Sequence, residues 1–282
     1  VQAGIYSVTI MDSIGCTHSV SATITQPANA LSLGVGTVNV SCFGLSNGSI
    51  NLTPSFGTTP YSYAWSNGAS SQDLNNIAAG IYTVTTTDAN GCIAILTAQI
   101  TQPATTLVST IQHTDVPCHN GASGTGTAAG LGGTPPYSYT WSNGQTTAFV
   151  DSLLAGIYSV VISDNNGCTS SQSVLVTQPA PIVIQSANVN NLCFGQTSGT
   201  INLTVNGGTG PYVYSWNNGA FTEDLINVSA GNYVVNITDN NGCTSSGAYS
   251  IGQPSLPLAI SETHQDILCF GTSSGSIDLS VS

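Results

Sequence analysis

The stretch GGTPPYSYTWSNGQ (residues 132–145) is matched upstream by FGTTPYSYAWSNGA (56–69) and downstream by GGTGPYVYSWNNGA (207–220). In an extended chain residues i, i+2 and i+4 face the same way. Tyr61, Tyr63 and Trp65 therefore form one stripe, as do Tyr137, Tyr139 and Trp141, and Tyr212, Tyr214 and Trp216. The opposite face carries Ser62 and Ala64, Ser138 and Thr140, Val213 and Ser215, which are small and mostly polar. Burying a Tyr or Trp ring removes on the order of 150–250 Å² from water, so the aromatic face is the one to turn inward. The stripe predicts core aromatics rather than an exposed sugar-stacking platform, and the Ser-Asn-Gly that follows predicts a tight turn.

The three stretches recur because the whole chain repeats, with a period of about 75 residues. Trp65, Trp141 and Trp216 mark that period, and so do Gln26-Pro27, Gln102-Pro103, Gln178-Pro179 and Gln253-Pro254. With Gln-Pro as the boundary, 1–27 is the C-terminal part of a repeat and 28–103, 104–179 and 180–254 are complete repeats. Residues 255–282 are the N-terminal part of a further one. The chain opens at Val1 inside a repeat, which reads as an internal piece of something longer.

Each repeat reads as strand after strand. An extended run ending at Cys is followed by a short alternating segment (GSINL at 48–52, GTINL at 199–203), then the aromatic stretch. A short apolar segment precedes AGIYTVTTTDANGC (79–92), echoed by AGIYSVVISDNNGC (155–168), AGNYVVNITDNNGC (230–243) and AGIYSVTIMDSIGC (3–16). Period-2 alternation, β-branched residues and frequent turn signals give an all-β fold of tandem immunoglobulin-like β-sandwich repeats. Tyr82, Tyr158 and Tyr233, just after Ala-Gly, read as corner tyrosines whose hydroxyls cap backbone.

The chain has no Lys or Arg, twelve Asp plus Glu, and 4% charged residues, against about 25% in an ordinary soluble domain. Without a cationic side chain it cannot neutralise phosphates, so nucleic acid is excluded as a partner, and no basic patch draws it to anionic lipid. No apolar run approaches membrane-spanning length, so no membrane insertion is expected in this segment. Trypsin-like proteases find no site here.

The eight cysteines, Cys16, Cys42, Cys92, Cys118, Cys168, Cys193, Cys243 and Cys269, form no Cys-x-x-Cys pair. Their regular alternation reads as a disulfide framework in an oxidising, extracellular setting. Strand parity decides the pairing. With four strands between Cys42 and Cys92 and a reversal at every connection, both lie at one end, which predicts Cys42–Cys92, Cys118–Cys168 and Cys193–Cys243 inside the repeats. A seventh strand per repeat would put them at opposite poles and favour bonds between neighbours, such as Cys42–Cys168. Only one clear strand fits the residues after Ser-Asn-Gly, which favours the bonds inside the repeats.

Asp88, Asp164 and Asp239, at the Asp-x-Asn-Gly turns, are the calcium candidates. Calcium takes six to eight oxygens, whereas each turn supplies one carboxylate and reads as an Asx turn closing a hairpin. No other cofactor or metal is implied. The four histidines fall irregularly, His113-Thr-Asp115 being echoed by His264-Gln-Asp266, and no motif belongs to the catalytic set. The chain does not read as an enzyme.

The combination CFGxxxGxI (Cys42 to Ile50, Cys193 to Ile201, Cys269 to Ile277), GGTxPYxYxW, AGxYxVxxxDxNGC and a closing TQP or GQP resembles the SprB repeat, a family named after the very large surface adhesin of gliding Bacteroidetes. The second repeat departs from it with CHN (118–120) in place of CFG. The resemblance implies export through the type IX secretion system and a cell-surface filament or adhesin carried by the gliding machinery. Expected partners are neighbouring repeats of the same chain, other filament chains, and surface glycans or substratum. A glycan-binding module or a passive matrix fibre is the alternative.

Overall fold

The structure is a computed structural model describing residues 1–282, and every regular element in it is a β-strand. A hairpin, β1 (Gly4–Met11) and β2 (Thr17–Ile24), comes first. Six strands follow in the first complete repeat: β3 (Ser32–Val38), β4 (Gly48–Ser55), β5 (Ser62–Trp65), β6 (Leu74–Ile77), β7 (Gly80–Thr87) and β8 (Ile93–Ile100). The second complete repeat has β9 (Val108–Thr114), β10 (Gly124–Leu131), β11 (Ser138–Trp141), β12 (Phe149–Leu153), β13 (Gly156–Ser163) and β14 (Thr169–Val176). The third has β15 (Val183–Val189), β16 (Gly199–Asn206), β17 (Val213–Trp216), β18 (Leu225–Val228), β19 (Gly231–Thr238) and β20 (Thr244–Ile251), and the hairpin β21 (Ile260–Gln265) and β22 (Ser276–Val281) closes the chain.

The chain groups into two compact units, 1–110 with 129–140 and 160–172, and 111–128 with 141–159 and 173–282. The first unit holds the first complete repeat, a sandwich of sheets β3-β4-β6 and β5-β7-β8. Its core gathers Val40, Ile50, Leu52, Trp65, Leu74, Ile77, Val84, Ala98 and Ile100. The second unit holds the third repeat, sheets β15-β16-β18 and β17-β19-β20, around Ile201, Leu203, Tyr214, Trp216, Leu225, Val235 and Ile237. Strands of the second repeat order themselves likewise as β12-β10-β9 and β11-β13-β14.

The tryptophans end the central stripe deep in the sandwich: Trp65, Trp141 and Trp216 are 4%, 2% and 3% exposed. Each indole Nε1 donates to a backbone carbonyl six residues on, Ser71, Thr147 or Thr222, so the ring's polar edge is satisfied within its own connection. Tyr63 and Tyr139 are half-buried and Tyr214 is buried; burial, then the Glu223 carboxylate, pushes the Tyr214 hydroxyl up to about 12. Tyr61, Tyr137 and Tyr212 sit at the rim, half-buried, and donate to the carbonyls of Phe56, Gly132 and Gly207. Burial thus deepens along the stripe from rim to tryptophan. The corner tyrosines Tyr82, Tyr158 and Tyr233 donate to carbonyls four residues upstream, those of Ala78, Leu154 and Ser229.

Sheet order identifies the topology. Strand β4 pairs with β3 and β6, and β7 pairs with β5 and β8, all antiparallel. These are the A, B, E and C, F, G strands of an immunoglobulin sandwich, with the D strand missing. Strands β5 and β6 consequently run in the same direction. Register locates them: Ser62 lies across from Thr87 and Trp65 from Val84, near the far end of β7, whereas Leu74 lies across from Ile50 and Ile77 from Gly48, at the start of β4. The two short strands complete one traverse, changing sheets at the Ser66-Asn67-Gly68 turn, where Trp65 N donates to Ala69 O and Gly68 N to Trp65 O.

This corrects the predicted disulfides Cys42–Cys92, Cys118–Cys168 and Cys193–Cys243. Six strands do form in each complete repeat, but they make five traverses, because one connection does not reverse the chain. Cys42 precedes the start of β4, beside the β6–β7 corner, and Cys92 follows the far end of β7. Eight residues of strand, roughly 26 Å at about 3.3 Å per residue, separate the two levels. The bonds instead join consecutive repeats, Cys42 to Cys168 and Cys118 to Cys243. Cys92 and Cys193 are free and exposed, as are Cys16 and Cys269.

Candidate functional site: the cysteine-bridged junctions

The first half of each junction is the loop between the first two strands of a repeat. In the first repeat the loop is fixed on both sides. Val40 N donates to Thr101 O and Thr101 N to the Asn39 side-chain oxygen, both at 2.9 Å, sealing β3 against the end of β8. The Gln of Gln-Pro then reaches into the loop: Gly44 N donates to Gln102 Oε1 at 2.9 Å, Asn120 N to Gln178 Oε1 at 2.7 Å and Gly195 N to Gln253 Oε1 at 2.9 Å. That bond explains why Gln-Pro recurs: the glutamine shapes the cysteine loop and the proline follows as the chain leaves the repeat.

The second half is the Asp-x-Asn-Gly-Cys turn. Asp164 Oδ1 accepts from the backbone N–H groups of Asn166 and Cys168, both at 2.9 Å, and Oδ2 accepts from Thr134 N at 2.8 Å. Asp88 holds Asn90, Cys92 and Thr58 in the same way, and Asp239 holds Asn241, Cys243 and Thr209. One carboxylate thereby ties the turn to the loop that opens the aromatic stretch. Backbone donors, Thr58 N–H foremost, hold the Asp88 carboxyl below the usual range. At Asp164 and Asp239 burial is the largest single influence and pushes upward, but the N–H groups together outweigh it and the net direction is again down. As the calcium candidates, these three residues stand one per repeat with both oxygens already engaged by N–H donors.

At the bonded junctions the two halves meet with Cα atoms 5.7 Å (Cys42–Cys168) and 5.6 Å (Cys118–Cys243) apart. The turn asparagine adds a bond across each: Asn166 Nδ2 donates to Ser41 O and Asn241 Nδ2 to Pro117 O, both at 3.0 Å. The loop cysteine is therefore met by a disulfide, and the carbonyl just before it by a hydrogen bond. The second repeat's departure, CHN, places His119 at the junction with its Nδ1 3.2 Å from Pro179 O. His113 Nε2 lies 3.6 Å from Asp115 Oδ1, and His264 lies 3.6 Å from Glu262 and 3.7 Å from Asp266. No group of three or more His, Cys, Asp or Glu is placed to hold a metal ion. The glutamine contacts leave a signal in the sequence, the constant interval of 58 residues from loop amide to glutamine.

Residues 35–70, 110–146 and 186–221 match the SprB repeat. The chain carries three SprB repeats. Each SprB match starts within the first strand, takes in the cysteine loop and the aromatic stretch, and ends just past the Asn-Gly turn. No curated protein matches the chain. Solved structures similar to these SprB repeats include the N-terminal eight Ig domains of Down Syndrome Cell Adhesion Molecule, at 13% identity and TM-score 0.35, covering 90% of this chain and 40% of that one. A complex of Dpr2 Ig1-Ig2 with DIP-Theta Ig1-Ig3 aligns at 13% identity and TM-score 0.32 over 80% of this chain and 100% of that one. Extracellular domains 3-5 of Drosophila OTK align at 12% identity and TM-score 0.28 over 73% and 91%. No helix of the SprB-repeat chain is long and apolar enough to cross a membrane.

Proposed function

We propose that this segment is a structural and adhesive repeat array of an extracellular surface filament. The observation that carries the reading is the covalent joining of consecutive repeats through Cys42–Cys168 and Cys118–Cys243. A bond inside a repeat stabilises that repeat alone, whereas a bond between repeats holds neighbours in register when the chain is pulled. Disulfides persist in oxidising compartments, which supports a location outside the cell. With no Lys or Arg the segment offers trypsin-like proteases no site, which suits a shaft exposed outside the cell. The SprB matches support the finer reading, in which the filament is exported by the type IX secretion system and serves as a gliding-motility adhesin.

The test is to label the repeat with an antibody on living cells of the source organism and follow the signal by fluorescence microscopy. Signal travelling along the cell body is the result expected of a motility adhesin. Signal that stays fixed, or sheds into the medium, refutes the gliding reading in favour of a passive matrix fibre.

A further inference from the structure

Three grooves in this molecule share five lining positions. Beside Cys168 the walls are Thr106, Leu107, Gly133, Cys168 and Thr169, and the loop residues Cys42, Phe43 and Leu45 lie in it. Beside Cys243 the same five positions, one repeat on, are Pro181, Ile182, Gly208, Cys243 and Thr244, and Cys118 and His119 lie there. Beside Cys92 the five positions, one repeat earlier, are Ala30, Leu31, Gly57, Cys92 and Ile93. No cysteine loop lines this third groove.

We propose that the groove beside Cys92 is a docking socket for the Cys-Phe-Gly loop of a further repeat of this kind, whose cysteine, carried in as a mixed disulfide with a small thiol, exchanges with the Cys92 thiolate so that the new S–S bond forms as the small thiol leaves. The socket is preshaped. Asp88 holds the turn by the same three backbone bonds as Asp164 and Asp239. Asn90 Nδ2 donates to Thr58 Oγ1, as Asn166 does to Thr134 and Asn241 to Thr209. In the occupied grooves that Nδ2 also donates to a carbonyl of the incoming loop, Ser41 or Pro117; at Asn90 this second acceptor is what the occupant supplies. Cys168, in an occupied groove, is buried to 9% exposure, whereas Cys92 is an exposed thiol. The complementary plug exists in the same chain. Cys193-Phe194-Gly195 is held by Gln253 as Cys42-Phe43-Gly44 is by Gln102, with its thiol free and Phe194 exposed. The occupant is thus defined chemically as a cysteine flanked by a preceding backbone carbonyl and a following aromatic ring.

The test uses the whole chain and a peptide of residues 189–198 (VNNLCFGQTS) whose cysteine carries glutathione in a mixed disulfide. Attack by the Cys92 thiolate on the peptide sulfur forms the new disulfide and expels glutathione thiolate, which takes up the proton Cys92 gave up; no oxidant is consumed. Peptic mapping under non-reducing, acidic conditions reads which cysteine is labelled. Cys16 is the internal reference, since it is an exposed thiol after the same kind of turn but its groove has no counterpart of Leu31 or Gly57. The expected result is at least severalfold faster labelling of Cys92 than of Cys16, Cys193 or Cys269, with the preference lost when serine replaces the peptide's phenylalanine. Even labelling of the four thiols, an unlabelled Cys92, or indifference to the phenylalanine overturns the proposal. The readout is made on the purified chain and stands or falls separately from the filament reading.

Discussion

Suppose the chain is held by its two ends in optical tweezers, unfolded by force, and then exposed to a thiol reductant at constant load. The two disulfides span 126 and 125 residues and overlap along the sequence. With both closed, three segments run in parallel between the same two crosslinks: 42–118, 118–168 and 168–243. The middle one is the shortest, so it alone is taut, and both disulfides lie in series with it. Cutting either bond transfers the load to one of the outer segments, which is longer by about 25 residues, or roughly 90 Å at full extension. Cutting the second bond releases about 125 residues at once, roughly 430 Å. The native chain should therefore lengthen in two unequal steps, the short one always first. Replacing Cys118 by Ser leaves a single shortcut, so only the long step should remain, with single-exponential kinetics. Bonds inside the repeats would behave differently: each would hide about 50 residues, and reduction would give three independent steps of roughly 170 Å. Observing those equal steps, or a long step ahead of the short one, would refute the topology and the parity argument behind it.

Thr86 sits in the first repeat's core at 0% exposure with its hydroxyl unpartnered, where the other repeats have Ile162 and Ile237. Thr86→Val should stabilise that repeat by about 1–3 kcal/mol, the cost of an unsatisfied buried polar group, measured by guanidinium unfolding with the disulfides intact. Trp141→Ala removes a ring 2% exposed together with its Nε1 bond to Thr147 O, and should cost about 3–5 kcal/mol in the same assay. The carboxyls of Asp88, Asp164 and Asp239 are held below their ordinary values in the fold. Their contribution is complete above the unfolded-state value near pH 4 and is lost as pH falls through the lower folded values. The melting temperature should therefore drop on acid titration below about pH 4, and Asp164→Asn should flatten that fall. Gly133 has φ 62° and a Cβ there would lie 2.6 Å from Asp164 Oδ2, whereas Gly144 has φ 88° with nothing within 4 Å. Both alanine replacements carry the left-handed penalty of about 1–2 kcal/mol, and Gly133→Ala should lower the melting temperature further.

The sequence by itself determined the period, the all-β class and the inward face of the aromatic stripe. Alternation puts every other side chain on one face whatever the neighbours do, so Tyr63-Ala64-Trp65 already declares which face is inward. Local chemistry also marked the turns, because in Asp-x-Asn-Gly-Cys the Asp carboxylate closes the hairpin by accepting the turn's own backbone N–H groups. Strand direction was not legible. The eight residues from Ser66 to Asp73 read as a connection between one strand and the next, and nothing local in them says that β5 and β6 run the same way. That is settled by long-range pairing, Ile77 against Gly48 in one sheet and Trp65 against Val84 in the other. Because each repeat makes an odd number of traverses, its two cysteines lie at opposite ends. Which cysteine meets which is then a property of neighbouring repeats packed together, and only the tertiary structure could decide it.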